Sequence, residues 1–320
     1  MNEDDGNYLV LSGGVGGAKL VLGLSHILTG KQLTIIANTG DDFEHLGLPI
    51  SPDLDTLMYT LAGQVNEDTG WGCKGETWNF MDALERLGGE TWFRLGDRDL
   101  ATHIERARRL AAGATLTEVT AALCDRLDVA QWILPMSDQP VRTRVITASD
   151  VLEFQHYFVR ERAEPCVQHL EYHGAESARP SAAVLAALRD PALAGIIIAP
   201  SNPYLSIDPI LAIPAMRAAI EASRAPVVAV SPIVGDAAIK GPTAKIMREL
   251  GHPVSAVGVA THYDDILDGF IVDATDRNMV AELEKLDLQV AICETIMTSL
   301  DDKTRLARAT LDFLAALTPD

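Results

Sequence analysis

Leu9-Val10-Leu11-Ser12-Gly13-Gly14-Val15-Gly16-Gly17-Ala18-Lys19 is an apolar run that breaks into four glycines and then resumes as an amphipathic segment. The pattern predicts a buried strand, a tight turn and a helix start. Glycines at such a turn let a ligand approach without meeting a Cβ, and the N–H groups of the helix start point at whatever occupies the crevice beyond the strand. Gly13, Gly14, Gly16 and Gly17, followed by Lys19, are therefore candidate anion-binding residues. A purely structural turn is the competing reading. Two specific motifs are absent. Lys19 follows Ala18 and precedes Leu20, so the Gly-Lys-Ser/Thr ending of a P-loop is missing. Counting from Gly14, Lys19 also stands where the dinucleotide fingerprint needs its third glycine, which disfavours a nicotinamide oxidoreductase.

Outward from this unit, residues 32–38 form a second β-branched run of the kind buried in parallel sheets. Further strands are expected at 195–199, 226–230, 255–259, 270–273 and 289–292, most of them separated by helical patterns such as 209–223 and 243–250, with a last helix at 301–317. The alternation predicts an α/β fold with a doubly wound, mostly parallel, Rossmann-like sheet. Residues 76–174 break the rhythm, with helices at 77–86, 103–112 and 116–127 and ribbon strands at 142–147, 153–160 and 167–173. This stretch reads as an inserted helical and antiparallel-ribbon lid, leaving 1–75 and 175–320 as the core.

The chain has 320 residues and a formal charge of −19, which disfavours nucleic acid and anionic membrane surfaces as partners. No apolar run approaches a membrane span and no secretory leader pattern is visible, so a cytoplasmic location is expected. Cys73, Cys124, Cys166 and Cys293 form no Cys-x-x-Cys pair and each reads as a small buried side chain. A symmetric homodimer is the default expectation for the assembly.

An acidic protein that binds a phosphorylated ligand needs local backbone N–H groups, a few cations or a bridging divalent ion. The loop from Gly40 to Thr56 carries Asp41, Asp42, Asp53 and Asp55 at the expected carboxyl-end rim of the sheet. Crowded carboxylates there suit Mg²⁺, which takes one or two carboxylates plus phosphate oxygens. The alternative is that Asp53 caps the helix starting near Leu54 and that Asp41 and Asp42 shape a turn. Trp71 and Trp78, near glycines in a polar segment, are candidates for stacking on a flat heterocycle or for anchoring the insertion. Arg94 and Arg98 either clamp phosphate or pair with Asp97 and Asp99. Ser137, Asp138 and Arg142 precede a strand, and Ser201-Asn202 and Ser231 follow strands on the binding rim. The alternating His169, Glu171 and His173 read as a solvated ribbon face rather than a zinc site.

Ser12 through Lys19, Asn38-Thr39-Gly40-Asp41-Asp42, Pro52-Asp53-Leu54-Asp55-Thr56, Gly70-Trp71-Gly72, Glu76-Thr77-Trp78-Asn79, Leu95-Gly96-Asp97-Arg98-Asp99-Leu100-Ala101-Thr102-His103, Ala199-Pro200-Ser201-Asn202-Pro203 and Ser231-Pro232-Ile233-Val234-Gly235 together closely resemble the CofD family of 2-phospho-L-lactate transferases. The resemblance spans nearly the whole chain. It implies Mg²⁺-dependent transfer of a phospholactyl, phosphoenolpyruvyl or 3-phosphoglyceryl group from a guanosine diphosphate-linked donor to the ribityl hydroxyl of the deazaflavin Fo. The same resemblance implies release of GMP, in the biosynthesis of coenzyme F-420. It further implies Asp41 and Asp55 as catalytic metal ligands, with Asp42 and Asp53 in support. The glycine loop with Lys19 and Asn38 would hold the reacting groups, and Trp71, Trp78, Ser137, Asp138, Arg142, Ser201, Asn202 and Ser231 would line the substrate pocket. Which three-carbon acid is carried and where guanine sits stay open. The alternative is a CofD-like regulatory protein that binds a nucleotide sugar without transferase activity; the aspartate-rich loop and the Gly-Trp-Gly segment favour the transferase.

Overall fold

The computed structural model describes residues 6–235, 237–238 and 241–317. The first unit forms as its pattern dictates: β1 (Asn7–Ser12) runs into α1 (Gly14–Ser25) through Gly13 alone. Gly14 sits at φ +64°, a backbone geometry that costs a side chain-bearing residue strain and glycine little. β2 (Leu33–Ala37) lies parallel to β1, with Leu11 opposite Ile36. A small hairpin, β3 (Phe43–His45) and β4 (Leu48–Ile50), then leads to α2 (Pro52–Leu61).

Three helices follow: α3 (Asn79–Arg86), α4 (Asp97–Ala111) and α5 (Leu116–Arg126). β5 (Trp132–Pro135) then adds to β2 as a parallel edge strand. β6 (Arg142–Ile146), β7 (Val151–Glu153) and β8 (His169–His173) form a separate antiparallel ribbon ordered β7-β6-β8. The second half alternates α6 (Ala182–Leu188), β9 (Leu193–Ile198), α7 (Asp208–Leu211), α8 (Pro214–Glu221) and β10 (Val227–Val230). After the short hairpin of β11 (Ile233–Val234) and β12 (Ala237–Ala238) come α9 (Thr243–Glu249), α10 (Ala256–His262) and β13 (Gly269–Asp273). α11 (Val280–Leu283), β14 (Gln289–Cys293) and α12 (Leu300–Leu317) complete it.

The main sheet has seven parallel strands ordered β14-β13-β10-β9-β1-β2-β5. The chain winds outward from β1 to one edge and from β9 to the other, so the direction of winding reverses between β1 and β9. In doubly wound sheets the crevice outside the carboxyl ends at that reversal is where ligands bind. Strand side chains alternate between two cores. Leu9, Leu11, Ile36, Ile196 and Ile198 pack on one face beneath the ribbon and α6–α10, while Val10, Ile35, Ile197 and Ile271 pack on the other beneath α1, α2, α5 and α12.

Several expectations need correction. Residues 76–174 are not one insertion, because α5 supplies Val119 and Leu123 to a main core and β5 belongs to the main sheet. Only the α3–α4 segment packs mainly in a core of its own, with Phe43 and Ile50, while the ribbon supplies Val145 and Leu170 to the other main core. Residues 255–259 are the start of α10, where the Ser255 hydroxyl accepts from Gly258 N at 3.1 Å; a serine cap outweighs the β-branched valines. The expected strand at 153–160 ends at Glu153, and His156–Arg160 form a π-helical turn. Cys166 is exposed and Cys293 half-buried, while Cys73 and Cys124 are buried as expected. No helix among the described residues is long and apolar enough to cross a membrane.

α1 and α12 approach so closely at Gly23 that an added Cβ would stand 2.2 Å from the Lys303 carbonyl oxygen. Helix propensity alone would make Gly23→Ala stabilising by about 1 kcal/mol, but backbone cannot yield to that contact. We expect Gly23→Ala to destabilise by about 1–3 kcal/mol, the usual range for overpacking, measured by urea unfolding; a gain in stability would contradict this packing.

Candidate active site

A cavity of about 530 Å³ opens at the reversal between β1 and β9. One wall is the start of α1, where Gly13, Gly14, Val15 and Gly16 line it, so the positive end of the helix dipole faces the cavity. Across the crevice Ser201 locks the two loops together: its hydroxyl donates to Gly13 O at 2.7 Å and accepts from Gly13 N at 3.3 Å. A Cβ on Gly16 would meet the Pro200 carbonyl oxygen at 2.3 Å, and one on Gly17 would meet the Ser12 hydroxyl oxygen at the same distance. These two glycines thus serve the close fit of α1 against the β9 loop. The Asn202 side chain accepts from Tyr204 N and Leu205 N, which caps a π-helical turn over Pro203–Ile207.

The floor is built around Asn38, which follows β2. Its amide nitrogen donates to Asp41 Oδ1 at 3.0 Å, Asp53 Oδ2 at 2.9 Å and Leu205 O at 3.2 Å, and its amide oxygen accepts from Gly40 N. Asp53 does not cap its own helix; Ser51 holds that place, and Asp53 Oδ1 instead accepts from Gly14 N at 2.6 Å, at the start of α1. Asp41, Asp42, Asp53 and Asp55 are all buried. Burial pushes Asp53 up to about 6 against the pull of Asn38 and Gly14, and pushes Asp42 up to about 7 against Arg142 and Ser51. Asp41 is raised well above the carboxylate range by burial and by the charges of Asp53 and Asp42. Asp42 Oδ1 has no hydrogen-bond partner. Such groups lack positive charge, and a divalent cation beside Asp41 and Asp53 would supply it.

Asp55 is different. Arg106 on α4 donates to both of its oxygens, Nη1 to Oδ2 at 3.1 Å and Nη2 to Oδ1, and both residues are buried. Nη1 also lies 3.1 Å from His103 Nδ1, and a guanidinium only donates, so Nδ1 accepts and Nε2 carries the ring proton toward Asp99 Oδ2, 3.3 Å away. The expected pair of Asp41 with Asp55 is therefore divided: both line the cavity, but Asp41 shares Asn38 with Asp53 while Asp55 is held by Arg106. Arg106 was missed in the sequence, although Asp99, His103 and Arg106 fall on one helical face.

Trp92, Phe93, Phe154 and Phe158 provide the apolar wall, and Trp71, half exposed, stands at the cavity with them. Lys19 lines it too, with Nζ on Met297 O at 2.8 Å. Other expected contacts lie elsewhere. Trp78 packs in a satellite core, where Arg94, which itself lines the cavity, stands 4.0 Å above its ring. The Ser137 hydroxyl donates to Arg179 O, and Asp138 accepts from Thr117 N at the start of α5. Ser231 closes a turn onto Ile233. Arg142 reaches Thr39 O at 3.4 Å, behind the aspartate floor, and Arg98 reaches Lys74 O.

A family model described as 2-phospho-L-lactate transferase CofD matches residues 9–305. The chain belongs to the CofD family. It is 42% identical over 310 residues to a phosphoenolpyruvate transferase of Streptomyces griseus, covering 95% of this chain and 97% of that one. It is 40% identical over 299 residues to a 2-phospho-L-lactate transferase of Methanosarcina mazei, covering 93% and 97%. In fold it is similar to a UPF0052-family protein of Bacillus halodurans, with TM-score 0.63 and 16% identity over 96% of this chain and 99% of that one. This CofD-family chain is a phosphotransferase-type enzyme.

Two outcomes are expected from the floor. Arg106→Met leaves a buried carboxylate unpaired and should cost about 3–5 kcal/mol in urea unfolding; a cost below about 1 kcal/mol would show that the pair is solvated. Asp42 binds its proton more tightly folded than unfolded, so its contribution to stability is full below pH ~4 and lost as pH rises through about 7. Asp42→Asn should therefore raise the melting temperature in EDTA at pH 8 and not at pH 5. An equal change at both pH values would contradict the raised pKa.

Proposed function

We propose that this CofD-family enzyme is a Mg²⁺-dependent transferase of coenzyme F-420 biosynthesis. In this reading it moves a phosphoenolpyruvyl, 2-phospholactyl or 3-phosphoglyceryl group from a guanosine diphosphate-linked donor to the ribityl hydroxyl of Fo and releases GMP. The acceptor oxygen forms a bond to the phosphorus beside the three-carbon acid as the P–O bond to GMP breaks; the bonding pair leaves on the GMP phosphate and the hydroxyl proton passes to an aspartate of the site. The observation that carries the reading is the shared cavity: carboxylates short of positive charge, a helix N-terminus and an aromatic wall all face one volume.

Asp41 and Asp53 would hold Mg²⁺. The donor set fits, being oxygen atoms on two carboxylates, with phosphate oxygens to complete the shell. The bound ion supplies charge neutralisation on the diphosphate. With the Gly13 and Gly14 N–H groups held by Ser201 and Asp53, the start of α1 at Val15 and Gly16 receives donor phosphate, and Lys19 adds positive charge on the same wall. Arg106 keeps Asp55 oriented without giving it to the metal. Trp92, Phe93, Phe154 and Phe158 take the flat heterocycle and exclude water from the transfer.

With Mg²⁺, Fo and each guanylylated three-carbon acid in turn, mass spectrometry should find GMP and one phosphodiester product for at least one donor. No product with any of the three would overturn the reading. Asp53→Asn should lower turnover by about 100-fold or more and abolish the rise in melting temperature that Mg²⁺ gives the parent. Retention of both would remove Asp53 from the cation site.

A further inference from the structure

We propose that Asp99 receives the hydroxyl-bearing chain of the acceptor, and that Glu76 and Asp97 are positioning residues that hold it at the cavity. This rests on the acceptor assignment above. Asp99 lines the cavity with its side chain 16% exposed; Tyr59 OH donates to Oδ1 at 2.8 Å, and His103 Nε2 stands 3.3 Å from Oδ2 without forming a hydrogen bond. An ionised carboxylate offers about four lone-pair positions, so positions remain for donors arriving from the cavity. Burial works against its charge, but His103, Tyr59 and Arg106 outweigh burial and hold Asp99 below the ordinary carboxylate range. It is thus an acceptor of hydrogen bonds and repels the phosphates of the donor. Asp55, Asp99 and His103 do bring ligand atoms within 4.8 Å of one another. Arg106 already occupies Asp55 with a full positive charge there, which opposes a metal ion.

The device that fixes Asp99 is a reciprocal clasp between two helix starts. Glu76 accepts from Asp99 N at 2.8 Å and from Arg98 N at 2.9 Å, which satisfies the first turn of α4. Asp97 reaches back and accepts from Thr77 Oγ1, Asn79 N, Asn79 Nδ2 and Phe80 N, which satisfies the first turn of α3. Gly96 makes room, since a Cβ there would stand 2.1 Å from Glu76 Cδ. Two capping carboxylates therefore set the direction of an acceptor with lone pairs to spare before any ligand arrives, and orientation fixed beforehand lowers the cost of binding.

The test compares Fo with an analogue whose ribityl chain is replaced by an unhydroxylated alkyl chain, using deazaflavin fluorescence. The parent should prefer Fo by about tenfold, the worth of one charge-assisted hydrogen bond. Asp99→Asn, and independently Glu76→Gln, should reduce that preference to under about threefold while affinity for GDP with Mg²⁺ stays unchanged. Either variant alone suffices if the other does not fold. An unchanged preference in a folded variant, no preference in the parent, or a parallel loss of GDP–Mg²⁺ affinity would overturn the role of Asp99. A parent that binds neither deazaflavin would overturn the acceptor assignment as well.

Discussion

The site depends on a single amide. Asn38 sits where β2 ends and donates to two buried carboxylates, Asp41 and Asp53, from one nitrogen. An amide offers dipoles but no net charge, so this arrangement holds the two acids together without neutralising them. Asp53 joins the cluster to the first N–H of α1, and Leu205 O joins it to the π-helical turn beyond β9. The acids are therefore fixed by both halves of the sheet at once. A cation docking there would meet ligands already in place, as a preorganised site requires.

The fold explains why the cluster stands there. β1 and β9 are neighbours whose chains wind in opposite directions, so the loops after them splay apart at their carboxyl ends and leave a crevice. Ser201 sets the width of that crevice through its paired contacts with Gly13. The α3–α4 segment and the ribbon then raise walls over it, bringing Phe93 and Phe158 to a volume whose floor is ionic. Each wall contributes chemistry that the sheet cannot: aromatic surface from both, and from α4 the guanidinium that compensates Asp55.

Much of this was legible in the sequence, because the core signals are local. A β-branched run bounded by glycines reads as a parallel strand wherever it occurs, and the main-sheet strands β1, β2, β9, β10, β13 and β14 follow from it. Residues 255–259 misled because two valines outweighed a serine cap in the reading, while in the molecule the cap wins. The aspartates were recognisable as a group, yet their division was not. Whether Asp53 or Asp55 stands beside Asp41 depends on which face of α2 meets Asn38 and which meets α4, a tertiary fact with no local signature. Arg106 was recoverable in part, since Asp99, His103 and Arg106 recur at helical spacing. The clasp of Glu76 with Asp97 was not, because reciprocal capping joins residues 20 apart through two helix starts. Ser137, Asp138 and Ser231 show the converse, being small polar groups after strands that the backbone itself consumes.

We propose that Asp41 and Asp53, and not Asp55, capture the divalent ion. Anomalous diffraction from crystals grown with Mn²⁺ in place of Mg²⁺ tests it most directly. A peak is expected within bonding distance of Asp41 and Asp53 at the start of α1. A peak shared by Asp55, Asp99 and His103, or none near Asp41, would contradict it.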